Sequence, residues 1–86
     1  MTVHELKTMP EYFAAVLDGR KTFELRKDDR GFKVGDELVL REWTLGNGYT
    51  GNSTRCRITY IAKDVPTFGL TPGYVILGIE PLRIQA

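Results

Sequence analysis

The spacing of apolar and polar positions changes period early in the chain, and that change outlines the architecture. From Val3 to Lys7 the side chains alternate, with His4 and Leu6 on one face and Val3, Glu5 and Lys7 on the other, as a short strand requires. Helical spacing follows: Tyr12, Phe13, Val16 and Leu17 form an apolar stripe with Ala14 and Ala15 between them. Thr8 to Glu11 makes a helix start, with Thr8 as cap, Pro10 in the first turn and Glu11 completing a capping box. Asp18-Gly19 ends it, because glycine enters the left-handed region after a helix without a Cβ clash. So short a helix is marginal alone, and its stripe is expected to pack on a sheet.

Alternation returns between Thr22 and Lys27. Phe23 and Leu25 are expected to face the core there, leaving Thr22, Glu24 and Arg26 on the opposite face. After the charged turn Asp28-Asp29-Arg30-Gly31, the stretch Glu37 to Trp43 sets Leu38 and Leu40 against Val39, Arg41 and Trp43. Apolar residues on both faces place that strand well inside a curved sheet or barrel. Leu45 to Thr54, rich in glycine and asparagine, reads as a long hairpin loop. In the next strand Cys56, Ile58, Tyr60 and Ala62 alternate with Arg57, Thr59 and Ile61. Lys63 to Gly73 is a connector from which Phe68 and Leu70 are expected to tuck inward. Tyr74 to Glu80 is the last strand, with Val75, Leu77 and Ile79 in one row and Tyr74, Ile76 and Gly78 in the other. The class is α+β, with about five mainly antiparallel strands and one helix inserted after the first. So few residues cannot cover both faces of an open sheet, which favours a small, closed or nearly closed β-barrel with the helix plugging one side.

Composition narrows the chemistry. Eighty-six residues make one domain over 1–86, and 42% hydrophobic with 27% charged residues is ordinary for a globular chain. A net charge of +1 gives no bulk attraction to nucleic acid or membrane, so an anion site has to be a local cluster. Cys56, the one cysteine, has no partner for an internal disulfide and reads as a small buried hydrophobe. With a single histidine besides, no structural zinc site is expected, nor any cofactor. A polar start and the lack of a long apolar run point to the cytoplasm and away from membranes. Gly46-Asn47-Gly48-Tyr49-Thr50-Gly51 matches the dinucleotide fingerprint letter for letter. That fingerprint must open a helix, and here a strand follows.

Candidate chemistry centres on Lys21, Glu24 and Arg26. Opposite charges on a rigid strand suit a polar or anionic ligand, and they equally suit a solvated, salt-bridged outer face. Gly19, Lys21, Glu24 and Arg26 fall on the G-x-K-x-x-E-x-R signature of the ASCH domain, within the PUA-like superfold. His4 to Lys7, Phe13 to Gly19, Lys21 to Glu24, Asp29-Arg30, Val34 to Asp36, Tyr49 to Gly51 and Gly73 to Val75 also resemble a small ASCH-like subgroup of single-domain proteins without an assigned function. The resemblance implies a PUA-like barrel with a cleft between barrel and helix. It also implies RNA or a nucleotide-like small molecule as ligand. Lys21, Glu24 and Arg26 are nominated by it, with Gly19 as a backbone requirement and Lys7 and Arg30 by proximity. Tyr49 or Trp43 would supply a stacking face. Acidic residues at Asp28, Asp29, Asp36 and Glu37 interrupt any basic stripe, which favours a short oligonucleotide or a nucleoside over a duplex.

Some ASCH proteins are amidohydrolases of acetylated cytidine and carry Lys-Thr-x-Thr over the same stretch, followed by a later glutamate. Here Lys21 and Thr22 are present, but Glu24 stands at the nucleophile position. A binding module is therefore the first expectation. A hydrolase using Lys21, Thr22 and Glu24, or Glu80 as the acid, is the alternative. Pairing of a partner strand to a free barrel edge is a third.

Overall fold

The computed structural model describes residues 1–82. Its elements run β1 (Val3–Thr8), α1 (Pro10–Leu17), β2 (Phe23–Lys27), β3 (Glu37–Thr44), β4 (Gly48–Ala62) and β5 (Tyr74–Pro81), with a 3-10 turn at Pro66–Phe68. The strands form one mixed sheet in the order β1-β3-β4-β5-β2. β3–β4, β4–β5 and β2–β5 pair antiparallel, whereas β1 and β3 run parallel because α1 and β2 intervene between them. The sheet curls into a half-barrel, so that β1 and β2, its two edges, approach each other without pairing.

Inside the curl lies a core of Leu6, Leu38, Leu40, Cys56, Ile58, Val75, Leu77 and Ile79, covered by Phe13 of α1 and by Phe32. Phe13 and Val16, one helical turn apart, are the face that α1 turns inward. Tyr12 and Leu17, expected to share it, are 50% and 59% exposed, because eight residues on a curved sheet bury only a narrow face. Nor does Thr8 cap the helix. It is the last residue of β1 and buried, and Met9 takes the cap position with no side-chain bond. Phe68, also expected inside, is exposed as the last residue of the 3-10 turn, which lies outside the sheet's ladder.

Two bulges correct the reading of β4. The glycine- and asparagine-rich stretch is mostly strand, and the turn itself is residues 45–47. Gly48, at φ +73°, adopts the left-handed conformation that closes such a three-residue hairpin. Trp43 pairs with Tyr49 while Arg41 pairs with Ser53, so residues 50–52 stand opposite Glu42 alone. Gly51, at φ +95°, supplies the kink. The side chains of Thr50 and Asn52 donate to the Glu42 carboxylate at 2.8 and 3.1 Å across the irregularity. The second bulge, at Thr59, falls between the pairs Ile58–Ile79 and Tyr60–Gly78. One extra residue reverses the facing of everything beyond it. Tyr60, expected in line with Cys56 and Ile58, is therefore 67% exposed, and Ile61 packs against the core instead.

The start of β1 is tied down by a buried polar pair. His4 Nε2 lies 2.9 Å from Asp36 Oδ2, and the backbone N–H groups of Thr2 and Lys33 each donate to the same carboxylate at 3.1 Å. The His4 ring rests on Phe32 with centroids 4.8 Å apart. The His4 hydrogen bond holds the Asp36 carboxyl below its ordinary value, outweighing the opposing effect of burial, and the two N–H donors assist. As pH falls the unfolded chain thus takes up this proton first. The stability due to Asp36 is complete above the ordinary value near 3.8 and is lost as pH drops through the lower, folded one. Urea unfolding should show Asp36→Asn destabilised by ~2–3 kcal/mol at neutral pH. The gap to wild type should close progressively in acid below about pH 4.

Candidate functional site

The site begins where α1 stops. Gly19, at φ +83°, turns the chain back so that the Lys21 N–H donates to the Ala15 carbonyl at 3.0 Å. The Asp18 carboxylate accepts from the Arg20 N–H at 3.0 Å and from its guanidinium, bonds that hold it below the usual carboxylate range. The backbone requirement for glycine is thus met at the predicted position.

β2 then pairs with β5, and the register decides which side chains face in. Glu24 stands opposite Leu77 and Arg26 opposite Val75, while Phe23, Leu25 and Lys27 stand opposite Gly78, Ile76 and Tyr74. Val75 and Leu77 face the core, so Glu24 and Arg26 share the inner face with them. This corrects the expectation for Phe23 and Leu25, which are 46% and 55% exposed, whereas Glu24 is 3% exposed. The alternation was right and its direction inverted. Charges are tolerated inside because β2 is an edge strand at the open seam of the half-barrel, where ion pairing replaces water.

Glu24 is clamped from both sides. Lys21 Nζ donates to its Oε1 at 2.6 Å and Arg26 Nε to its Oε2 at 2.9 Å. Each cation also holds backbone. Lys21 Nζ donates to the Phe23 carbonyl at 2.7 Å, with the rings of Phe23 and Tyr12 at 4.9 and 5.8 Å. Arg26 Nη2 crosses the seam to the Lys7 carbonyl of β1 at 2.8 Å, and Arg30 Nη1 reaches the Glu5 carbonyl of the same edge at 2.7 Å. The seam is thus bridged by guanidinium donors where a closed barrel would have a backbone ladder.

Above this clamp lies a cleft of about 430 Å³, walled by Thr8 and Met9 at the β1–α1 junction, Tyr12 of α1, and Phe23 and Leu25 of β2. Lys21, Glu24, Arg26 and Lys7 all line it, so four of the nominated residues meet on one concave surface. Arg30 does not line it and is engaged with Glu5 and, at 3.5 Å, with Asp29. Tyr49 lies outside it too, its ring under the Arg41 guanidinium at 3.9 Å. Thr22 lines a neighbouring depression of about 260 Å³ that Lys21 also borders, with Val16, Asp18 and Arg55, and it hydrogen-bonds neither Lys21 nor Glu24 among the described residues. Glu80 stands opposite Arg57 on β5 and away from the cleft wall. Tyr12, Met9 and Thr8 are wall residues that the helical pattern assigned to packing or capping. The available signal was that Phe13 and Val16 already make a complete stripe for so short a helix.

The clamp carries one net positive charge, two cations on one carboxylate, and Lys7 adds a second to the cleft. Arg26 Nη1 has no hydrogen-bond partner among the described residues. Cys56 offers no nucleophile. Burial, and secondarily the Glu24 charge, push its thiol up to about 12 against the opposing effect of Lys21. Among the described residues no cluster of His, Cys, Asp and Glu has metal-binding geometry, and no helix is long and apolar enough to cross a membrane.

A curled mixed sheet with one helix and an ion-lined cleft at its seam defines a small α+β domain. Residues 3–79 match the model of a domain of unknown function, DUF3850, and the chain belongs to that family. It is also 46% identical over 57 residues to an "Uncharacterized 12.9 kDa protein in GpA 3′ region" of Escherichia phage P2. That alignment covers 66% of this chain and 51% of the phage protein, so the chain spans about half the length of this relative.

Removing one member of the clamp leaves a buried charge uncompensated. Arg26→Ala, which leaves the buried Glu24 carboxylate with Lys21 alone, should cost ~3–5 kcal/mol in urea unfolding. Cys56 should react with a maleimide near neutral pH only as fast as the protein unfolds, a rate read by mass spectrometry with and without denaturant.

Proposed function

We propose that the seam cleft binds a short single-stranded RNA segment or a nucleotide-like small molecule in the cytoplasm, on a PUA-like scaffold of the ASCH kind. The observation that carries this reading is the convergence of Lys21, Glu24, Arg26 and Lys7 on one concave surface beside the exposed Tyr12 and Phe23 rings. Phosphate or base oxygens would meet Arg26 Nη1 and the Lys7 ammonium, and a base would lie against Tyr12 or Phe23. Glu24 has both oxygens engaged, so its part is to hold the two cations in place. The geometry favours binding over amide hydrolysis, because the Lys21 ammonium is bonded to Glu24 and the Phe23 carbonyl and not to Thr22, even though both residues border the second depression.

Calorimetry with nucleoside monophosphates and short RNAs tests this. Tyr12→Ala, at a half-exposed position that spares the fold, should weaken binding roughly tenfold. Lys7→Ala should lower the salt dependence by about 0.7 of a log unit per log unit for a single strand. Equal affinity in wild type and both variants overturns the site. Turnover of acetylated cytidine that disappears in Lys21→Ala would replace binding with hydrolysis.

A further inference from the structure

Two aromatic rings just outside the cleft are each paired with a cation. Lys7 lines the cleft, and its ammonium sits 4.9 Å from the centroid of the Trp43 ring on β3. Trp43 is the register partner of Tyr49 on β4, and the Arg41 guanidinium lies 3.9 Å from the Tyr49 centroid. Lys7 is in turn the register partner of Arg41. Lys7, Arg41, Trp43 and Tyr49 are therefore one connected set. It starts at the cleft rim and crosses from β1 over β3 to β4, a span of two interstrand steps, or ~10 Å.

The composition of this set is what a single strand of nucleic acid needs: cations for successive phosphates, and rings or a guanidinium plane on which bases stack. The bulge opposite Glu42 is part of the arrangement. It shifts Trp43 into line with Tyr49, and Glu42, which alternation turns to the other face of β3 from Arg41 and Trp43, accepts from Thr50 and Asn52 there. Tyr49 is 45% exposed, so a π-face remains open beside the one that Arg41 covers.

We infer that the ligand of the cleft is the end of a single-stranded oligonucleotide of roughly four nucleotides, at the short end of known single-strand sites, which continues over Lys7 onto Trp43 and the Arg41–Tyr49 stack. This extension rests on the cleft reading above and adds a second site to it. A mononucleotide fills the cleft alone, whereas a tetranucleotide reaches both.

The test compares adenosine monophosphate with a tetra-adenylate, in RNA and DNA forms, against the full chain. Binding is followed by calorimetry and by the fluorescence of Trp43, the chain's one tryptophan. The tetranucleotide should bind at least tenfold more tightly than the mononucleotide and quench Trp43. Tyr49→Leu and Arg41→Gln, both on the hairpin surface, should return the tetranucleotide to mononucleotide affinity and leave mononucleotide binding unchanged. Trp43→Leu should also remove the gain on lengthening, with Tyr49→Leu as the safeguard should that variant fold poorly. Mononucleotide binding with no gain on lengthening, or a gain that survives Tyr49→Leu and Arg41→Gln, overturns the extension and leaves the cleft site standing. Failure of both ligands to bind overturns the cleft reading and the extension together.

Discussion

A carboxylate inside a half-barrel is the constraint around which this domain is arranged. Glu24 is nearly inaccessible, and an unpaired charge at that depth would be far too costly to bury. Lys21 and Arg26 make it tolerable, and in doing so they fix more than the carboxylate. Lys21 reaches Glu24 only because Gly19 has turned the chain at the end of α1, so the helix-to-strand junction and the ion cluster depend on each other. Arg26 spends its Nε on Glu24 and its Nη2 on the β1 carbonyl at Lys7, which joins the two ends of the sheet. Planar, multidentate donation is what a guanidinium offers and an ammonium does not. Lys21 and Arg26, the third and eighth positions of the Gly19–Arg26 stretch, are not interchangeable charges for that reason.

The open seam also explains where the cleft is. A ladder between β1 and β2 would satisfy the edge carbonyls with backbone and leave no cavity between the strands. Side chains of Arg26 and Arg30 satisfy Lys7 and Glu5 at longer reach, and the space that remains is the cleft. The same donors occupy edge acceptors that would otherwise recruit a foreign strand, a common hazard of exposed edges. Partner-strand addition at this seam is correspondingly disfavoured. The cleft and the closure of the fold are one set of contacts, so a ligand bound there would rest on groups that are already positioned, a condition that lowers the ordering cost of binding.

Bulges set the rest of the surface. The Thr59 bulge reverses the facing of β4, which brings Tyr60 outside in register with Gly78 and so onto the same outer face as Phe23, Leu25 and Ile76. A side chain at Gly78 would meet Thr59 and the Tyr60 Cβ at 3.3 Å, so the bulge and the glycine fit one another. The irregularity opposite Glu42 does similar work at the other end of the strand. It converts a segment whose composition suggests a loop into one with paired, alternating side chains. The single extra residue at Thr59 moves Tyr60 to the other face, whereas the two extra residues opposite Glu42 keep the facing and shift only the register.

Much of the architecture was legible in the chain. The change from period two to helical spacing located β1, α1 and β2, the two-sided apolar pattern put β3 inside the sheet, and Gly19 marked the turn. Those features depend on neighbours in sequence, which is why periodicity reports them. Of the nominated residues, Lys21, Glu24, Arg26 and Lys7 line one cleft, and Arg30 and Tyr49 do not. Tertiary structure alone decided that Glu24 and Arg26 face inward and Phe23 and Leu25 outward, because facing is fixed by the register with Val75 and Leu77 some fifty residues later. It also decided that Thr22 and Tyr49 lie off the cleft, that Tyr60 is outside, and that Asp36 is buried on His4. A strand's own alternation says which residues share a face. Only its partner strand says which of the two faces is the inside.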